Sequence, residues 1–368
     1  MIDDGAVLAA VDRGMTVGLD VMGFVHANPE LGHEEHRSAA YVADALQHAG
    51  LQVERGAGGM ETAFVAALDG ARPGRTVGLV CLYDAVAAVR PDGTIEAVHS
   101  CGHGPIAGGV TAAAAALASL ADQLAGRVLV VGCPADEIHA PGTAARGGGK
   151  LRSAEAGLWD AVDAALYAHP EFIDTVSLQS RWMRREHVVV PGARSLTGDP
   201  EPPLQTAGAI LAANALDVMV ERLELDGDVE EGTGLACSAQ VLVFADAPNE
   251  LEERCAALRR AVPGGRWRAG PTVVGVRPDE AVTRAVADAM DAAGRDFVPD
   301  PPPLPFATDF GNISRRAPAA LIGIGRPGGW AFHSDEGAEQ FASADGEEAA
   351  AAIAQVLALA AARLTESA

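Results

Sequence analysis

The segment Arg127-Val128-Leu129-Val130-Val131-Gly132-Cys133-Pro134-Ala135-Asp136-Glu137 decides the fold. It begins with an apolar run of the kind that a parallel sheet buries on both faces, and it ends at two adjacent acids. Two other strand-like runs, 77–82 and 162–167, also end close to residues that can bind a metal. Because open α/β sheets place their sites at the carboxyl ends of their strands, the sequence predicts an α/β domain with a mixed, largely parallel sheet and a site at that edge.

The residues available at this edge suit a metal centre. Strand 77–82 is followed by Asp84 and then by Cys101-Gly102-His103, and strand 162–167 is followed by His169. A thiolate and neutral imidazoles bind borderline-soft divalent cations such as zinc. Taken alone, Cys101 and His103 are better interpreted as a small buried cysteine beside a hydrogen-bonded histidine.

The adjacent acids Asp136 and Glu137 have a mechanism attached to them. One carboxylate can bind a metal while its neighbour holds and deprotonates the water at that metal. The alternative is two solvated acids in a turn. Because Cys101, His103 and His169 are also available, the metal-binding interpretation is favoured.

Composition limits the classes of partner. The chain has 368 residues, of which 49% are hydrophobic, and its formal net charge is −23, with 50 acidic against 27 basic residues. Nucleic acid and anionic membranes require clustered basic residues, so a small molecule is the expected partner. No run reaches about 18 uninterrupted apolar residues, and five cysteines show no disulfide framework, so a cytoplasmic location without a membrane partner is expected.

The length favours one large and one smaller domain. Residues 1–183 and 278–368 are predicted to form the catalytic domain, and residues 184–277 to form an inserted β-α-β-β-α-β domain. Within this insertion the patterns predict strands at 187–190, 235–244 and 272–276, and helices at 204–223 and 249–261. Helical spacing elsewhere predicts helices at 6–27, 34–50, 109–125, 280–293 and 346–364.

Short motifs follow one another along the chain: His26-Ala27-Asn28-Pro29-Glu30-Leu31-Gly32, Tyr83-Asp84-Ala85, His99-Ser100-Cys101-Gly102-His103, Pro134-Ala135-Asp136-Glu137, Gly147-Gly148-Gly149-Lys150, His169-Pro170 and Thr308-Asp309-Phe310-Gly311-Asn312-Ile313-Ser314, with a late His333. In this order they resemble the metal-dependent amidohydrolases of the aminoacylase type. That family includes aminobenzoyl-glutamate hydrolases and hydrolases of auxin–amino acid conjugates. The likeness covers the chain except for its middle segment.

The resemblance implies a site with two divalent metal ions, of which zinc or manganese is expected. It assigns Asp136 as the general base and Asp84 as the residue that orients a ligand imidazole. It also implies a ferredoxin-like inserted domain that dimerises the protein. The implied metal ligands are Cys101, His103, Glu137, His169 and His333. Without the family, His333 would be interpreted as an exposed loop residue before Ser334-Asp335-Glu336.

The chain departs from the family at several positions. Asp136 stands where the family has a glutamate, and one methylene less could move the base by about 1 Å. An insertion of roughly eight residues, 138–145, follows Glu137 and brings His139, either to the site or to an exposed loop. The stretch 191–196 lacks the family's lid histidine, and loss of one oxyanion donor typically costs about 2.7–4 kcal/mol. Arg194 and His187 are the candidates to substitute for it, and either could equally be a surface residue.

Function is therefore predicted as hydrolysis of an amide in an N-acyl amino acid, dipeptide or similar small conjugate. The alternative is a biosynthetic homologue that uses the same site for amide formation or another acyl-group reaction, or a catalytically weak binding homologue. Arg326, Arg194 and Arg184 are candidate carboxylate anchors, with Arg326 preferred. Asn312, in the motif shared with the family, is also assigned to the substrate site.

Overall fold

The computed structural model describes residues 2–191, 202–213, 217–226, 236–262 and 264–366. Its helices are α1 (Asp4–Ala27), α2 (His36–His48), α3 (His103–Ala118), α4 (Pro141–Arg146), α5 (Gly149–Glu155), α6 (Pro202–Ala213), α7 (Pro248–Ala261), α8 (Glu280–Ala292), α9 (Phe310–Ile313), α10 (Asp335–Phe341) and α11 (Ala344–Glu366). Its strands are β1 (Gln52–Arg55), β2 (Phe64–Asp69), β3 (Arg72–Cys81), β4 (Val86–Val89), β5 (Ile95–Val98), β6 (Ala125–Gly132), β7 (Ala164–Glu171), β8 (Trp182–Val190), β9 (Val218–Asp226), β10 (Ala236–Ala245), β11 (Arg266–Val273) and β12 (Ala319–Gly325).

The chain folds into two compact units, and the first comprises Met1–Gln179, Val276–Pro303 and Asp309–Ala368. Its six-stranded sheet has the order β1-β2-β6-β3-β7-β12. Strands β6, β3, β7 and β12 run parallel to one another, whereas β1 and β2 pair antiparallel at one edge. This mixed, largely parallel sheet with helices confirms the predicted α/β class.

Small residues let the helices of this unit approach closely. A Cβ on Gly18 of α1 would lie 2.7 Å from the carbonyl oxygen of Gly108 in α3, and a Cβ on Gly108 would lie 2.6 Å from that of Gly18. Only glycine fits at such a backbone-to-backbone contact. Helix α3 begins at His103, so this crossing holds the predicted ligand loop in place.

Helix α11 is the core helix of the first unit. Among the described residues it is the one helix long and apolar enough to pass for a membrane span, with a mean hydropathy of 1.3. However, 78% of that apolar window is buried inside the protein. Its apolar residues therefore serve packing within the fold.

The parallel strands deliver the predicted site residues to one edge. Strand β3 ends three residues before Asp84, β6 ends four residues before Asp136, and His169 lies near the end of β7. Parallel neighbours end on the same side of a sheet, so these side chains are brought together although they are far apart in sequence.

The second unit comprises Ser180–Gly275 and Leu304–Thr308. Its antiparallel sheet has the order β11-β8-β10-β9, and the chain visits strands and helices in the predicted β-α-β-β-α-β order. Its core is formed by β-branched and leucine side chains of the sheet and of α6 and α7, among them Val188, Val241, Ile210 and Leu251. The assignment of residues 184–277 as an independent domain stays a prediction.

Two predicted elements in this unit are wrong. The predicted helix 204–223 ends at Ala213, and residues from Val218 onward form strand β9 instead. The β-branched residues Val218 and Val220 favour a strand, and pairing with β10 satisfies its backbone. The predicted strand 272–276 is β11, which begins at Arg266, because its exposed arginines hide the alternating pattern.

Candidate metal centre

Four side chains, those of His103, Glu137, His169 and His333, converge on the thiol of Cys101. The sulfur, His103 and His169 form one group whose ligand atoms lie within 4.8 Å of one another, and the sulfur, Glu137 and His333 form a second. Cys101 belongs to both groups. The sequence analysis named these same five residues as ligands, and the structure brings all of them together; metal binding by them stays a prediction.

Two imidazoles are oriented by hydrogen bonds on the far side of the ring. Nδ1 of His103 lies 2.7 Å from the carbonyl oxygen of Asp84, and Nδ1 of His169 lies 2.6 Å from that of Pro170. A ring that donates through Nδ1 keeps its lone pair on Nε2. Nε2 of His169 faces the Cys101 sulfur at 3.8 Å. Both rings are therefore arranged to present Nε2 as a ligand atom.

The loop that carries His333 is fastened to the cysteine loop. His333 has a φ of 57°, in the left-handed region, and its N–H donates to the carbonyl oxygen of Ser100 at 2.9 Å. Its Nε2 lies 3.3 Å from the Cys101 sulfur and 3.7 Å from Oε2 of Glu137. The side chain is 50% exposed, so it forms the solvent side of the cluster.

Asp84 lies where a residue that orients a ligand is expected. Its Oδ1 is 3.0 Å from Nδ1 of His103, and its Oδ2 accepts a hydrogen bond from the Glu137 N–H at 2.9 Å. The carboxylate is fully buried. One acid thus fixes both an imidazole and the backbone of the neighbouring carboxylate.

Within the described part of the chain, two buried ligand atoms in this cluster lack the hydrogen bonds that buried polar atoms normally make. Nε2 of His103 and Oε1 of Glu137 are buried and have no hydrogen-bond partner among the described residues, although they lie 3.8 Å from each other. Buried polar atoms are rarely left unsatisfied, because desolvation is costly. One thiol, three imidazoles and one carboxylate are ligands that zinc and related divalent metals accept. These residues therefore fit a divalent metal centre.

Because these ionisable groups are buried close together, they shift one another's pKa values. Burial raises the pKa of Cys101, but the imidazoles of His103, His169 and His333 around the sulfur outweigh it and hold that pKa well below its usual range. Burial, followed by the neighbouring Cys101, raises the pKa of Glu137 well above its usual range. Burial lowers the pKa of His169, but hydrogen bonds with Cys101 and Glu171 bring it to about 9. Metal ligands must be deprotonated, so cation binding would displace protons here.

Asp136 has a partner that the sequence analysis missed. Nζ of Lys150 donates to Oδ1 of Asp136 and lies 3.0 Å from Oδ1 of Asp309, and this lysine is fully buried. Oδ2 of Asp136 lies 3.4 Å from Nε2 of His103. The signal was available, because Lys150 is the chain's only lysine and a single lysine in so acidic a chain needs a reason.

A cavity of about 540 Å³ opens beside the ligand cluster. The hairpin β4–β5 lines one side of it with apolar residues, and Glu137, His139 and His333 line the other. His139 is exposed and also reaches this cavity, so both interpretations given for it apply. Arg90 anchors the hairpin through ion pairs with Glu96 and Asp335.

The candidate substrate anchors are placed less favourably. Arg326 pairs with Asp345 at 3.1 Å, stacks on Trp330 at 4.7 Å and lines a different cavity, so its position does not support the predicted role. Arg184 pairs with Glu186 and with Glu252 in the second unit.

The remaining candidates give no geometric support for an anchor. Asn312 lies half-buried in the short helix α9 that follows Asp309. His187 lies on the second unit's sheet, in a cavity with Arg222 and Arg268. Arg194 lies outside the described residues.

Comparisons with known proteins match this chain over most of its length. The family model described as peptidase family M20/M25/M40 matches residues 79–359. A solved Bacillus subtilis structure, described as a dinuclear metal-binding peptidase from the M20 family, aligns with a TM-score of 0.73 over 96% of this chain and 99% of that one, at 19% identity. At that identity the structural likeness shows the fold alone.

Curated relatives are similar over different lengths. One of them, a component of the p-aminobenzoyl-glutamate hydrolase of Escherichia coli, is 33% identical over 163 residues, which is 41% of this chain and 32% of the relative. The match thus spans about a third of that relative's length. The N-acetyl-L-cysteine deacetylase of Bacillus subtilis is 23% identical over 357 residues, covering 84% of this chain and 80% of that protein.

Proposed function

Because this chain belongs to the M20/M25/M40 peptidase family, which confirms the resemblance seen in its motifs, we propose that it is a metal-dependent amidohydrolase. The proposed substrate is an N-acyl amino acid, a dipeptide or a similar small conjugate. The relatives named above, a hydrolase of p-aminobenzoyl-glutamate and a deacetylase of N-acetyl-L-cysteine, act on conjugates of this size class.

The observation that carries the proposal is the pair of ligand groups that share Cys101. His103 and His169 would complete one cation site, and Glu137 and His333 would complete the other. Two bound divalent cations would polarise the amide carbonyl and lower the pKa of water at the site. Zinc or manganese is the proposed metal, in keeping with the thiol, imidazole and carboxylate donors.

Asp136 is the proposed proton carrier. Lys150 holds Oδ1 of this carboxylate, so Oδ2 is the atom left on the side of the ligand cluster, 3.4 Å from Nε2 of His103. From there it would accept a proton from the attacking water and deliver it to the leaving amine. Asp84 would keep the His103 ring turned toward the cluster throughout.

The cavity beside the cluster suggests which end of the substrate it takes. Its hairpin wall presents Val86, Val89 and Val98, and its one arginine, Arg90, is already paired with two acids. An apolar group of modest size is therefore the proposed occupant, since a free carboxylate would find no unpaired cation on this wall among the described residues.

The proposal is tested by metal analysis of the purified protein, followed by measurement of amine release from N-acyl amino acids, dipeptides and p-aminobenzoyl-glutamate. We expect turnover that a chelator abolishes and added zinc or manganese restores. Turnover that is unchanged after the metal has been removed would refute the proposal. A metal-loaded protein that releases no amine from any of these substrates would favour the alternative below.

One observation favours the alternative, a homologue with weak hydrolysis or another acyl-group reaction. Asp136 has a short side chain, and Lys150 pairs with its carboxylate. The variant Asp136→Glu restores one methylene, and misplacement of about 1 Å can cost about 100-fold in rate. Increased amine release by this variant would identify the short base as the limit. Unchanged release would direct attention to a different reaction.

Dimerisation through the second unit is also proposed. Strand β9 is an edge strand, and it presents Met219 and Leu225 with 44% and 46% exposure; Leu211 of α6 is 58% exposed. Exposed apolar edge strands pair readily with another chain. Sedimentation should report a dimer for the native protein and a monomer for a Met219→Lys, Leu225→Lys variant. A monomeric native protein would refute this part of the proposal.

A further inference from the structure

The backbone that carries Asp136 is in a conformation that needs support. Ala135 has a φ of 57°, in the left-handed region, which a non-glycine residue adopts only where its surroundings enforce it. This residue is fully buried and lies directly before the proposed proton carrier. Some neighbouring group must hold it there.

Two buried carboxylates hold the amides on either side of Asp136. The N–H of Ala135 donates to Oε1 of Glu35 at 2.8 Å, and the N–H of Glu137 donates to Oδ2 of Asp84 at 2.9 Å. Glu35 is 0% exposed. Because the two hydrogen bonds fix the peptide planes before and after Asp136, they also fix the direction in which its side chain leaves the backbone.

Glu35 is not required by its own helix. It occupies the N-cap position of α2, where a polar side chain usually caps the helix, yet it makes no such bond. Its Oε1 reaches a residue 100 positions away, and its Oε2 accepts from the hydroxyl of Thr62 at 2.9 Å. The hydroxyl of Tyr83 donates to the carbonyl oxygen of Thr62 at 2.6 Å. The Glu35 side chain is thus tied by buried hydrogen bonds to the segment that carries Asp136.

Close backbone packing should keep the fold around this segment intact without Glu35. A Cβ on Gly149 would collide with the carbonyl oxygen of Pro134, and one on Gly32 would lie 3.0 Å from the Cα of Ala135. The two glycines therefore let neighbouring backbone pack directly against this segment. Removal of the Glu35 carboxyl group should therefore change the direction of the Asp136 side chain more than it changes the stability of the fold.

We propose that Glu35 is a positioning residue for Asp136: by accepting the Ala135 N–H it holds the left-handed turn that aims the Asp136 carboxylate at the metal centre. This inference rests on the proposed hydrolase function. Glu35 itself lies behind the backbone and touches no ligand side chain among the described contacts. Burial, followed by the charge of Asp84, raises the pKa of Glu35 to about 8, so a neutral glutamine is a close replacement for it.

Three substitutions at Glu35 separate the ability of its side chain to reach the Ala135 N–H from the presence of a carboxyl group. Glu35→Gln keeps an oxygen that can accept from Ala135 and an amide that can donate to Thr62. Glu35→Asp keeps the carboxyl group but is one methylene too short to reach the same N–H, and Glu35→Ala removes both the carboxyl group and the reach. Glu34→Ala is the matched control, because Glu34 is the neighbouring acid and is exposed.

We expect kcat to fall about 100-fold in Glu35→Ala and Glu35→Asp, with KM within about threefold and with bound metal and melting temperature near those of the native protein. Glu35→Gln and Glu34→Ala should retain most of the native kcat. A normal Glu35→Asp with an inactive Glu35→Gln would show that the carboxyl group matters more than its reach to Ala135, and would overturn the proposal. So would unchanged kcat in Glu35→Ala.

A second measurement needs no activity. Hydrogen exchange of the peptide containing Ala135 should be at least about tenfold faster in Glu35→Ala and unchanged in Glu35→Gln. If the native protein hydrolyses nothing, the proposed function fails while this exchange result still decides the role of Glu35. Equal exchange in all variants would overturn the positioning role independently of the assay.

Discussion

The cluster around Cys101 and the arginine–glutamate network of the second unit are both buried assemblies of ionisable groups. In the network, Glu186 is fully buried and receives Arg184 at 2.9 Å and Arg259 at 2.8 Å, and Arg185 pairs with Glu221 at 2.6 Å. Each of its described carboxylates faces a guanidinium of the same unit. Positive and negative charges are matched within the polypeptide.

The cluster around Cys101 is matched differently. A thiol with a lowered pKa and the Glu137 carboxylate face imidazoles, and His103 Nε2 and Glu137 Oε1 are left without hydrogen bonds among the described residues. Burying such atoms is costly unless something completes them. The comparison teaches that buried charge alone does not mark a site; the mark here is a set of ligand-type atoms, two of them without hydrogen bonds from the described chain, that converge on one sulfur.

The largest expected effect is on metal affinity, and it tests whether the cluster around Cys101 binds metal. Loss of residues that merely orient metal ligands typically costs 10–100-fold in affinity, so Cys101→Ser should lower metal affinity by more than about 100-fold, because its sulfur belongs to both ligand groups. Metal content and amine release measure this. Cys81→Ser, which removes a buried thiol in β3, should keep its metal. Native metal content in Cys101→Ser would show that metal binding does not depend on the shared sulfur, and would contradict the two ligand groups.

The second prediction concerns the stability contributed by the arginine–glutamate network of the second unit. Glu186→Gln should destabilise the protein by about 3 kcal/mol, because it leaves Arg184 and Arg259 without their buried partner. Chemical denaturation measures the loss. The same change at the exposed Glu224, paired with Arg222, should cost less than about 1 kcal/mol. Bound metal should be unchanged in both variants; equal stability losses would contradict the contrast.

A smaller effect on metal affinity is expected at Asp84, which orients His103 but is not itself a proposed ligand. Asp84→Asn keeps an oxygen but loses the charge beside His103, which should reduce metal affinity by about 10–100-fold. Titration of the apo protein with zinc measures it. Asp163→Asn is the control, since that exposed carboxylate accepts a backbone N–H of Thr76 at 2.8 Å but lies away from the cluster. Unaltered zinc affinity in Asp84→Asn would deny this residue its orienting role.

The smallest effect is expected at Arg326. Because this side chain is engaged by Asp345 and Trp330, Arg326→Ala should leave KM for an N-acyl amino acid unchanged and cost about 1 kcal/mol of stability or less. Steady-state kinetics and thermal unfolding measure the two quantities. An increase in KM of tenfold or more would reinstate Arg326 as a carboxylate anchor.

The sequence predicted elements best where its pattern depends on local rules. The apolar run of β6 and the glycine-flanked ligand loop at the start of α3 were recognisable because burial and backbone freedom leave clear signatures. The helix predicted over 204–223 failed because residues 218–223 owe their strand conformation to pairing with β10. A distant partner outweighed local propensity there, as it often does in sheets.

By itself, the sequence determined the family, the α/β class and the set of candidate cation ligands, since residue types and their order are written in it. Only the tertiary structure decided which side chains meet. It placed Lys150 on Asp136, turned Glu35 onto the backbone of Ala135 and drew Arg326 to Asp345. The physical reason is that short-range hydrogen bonds and ion pairs depend on a few ångströms of separation, which spacing along a chain does not specify.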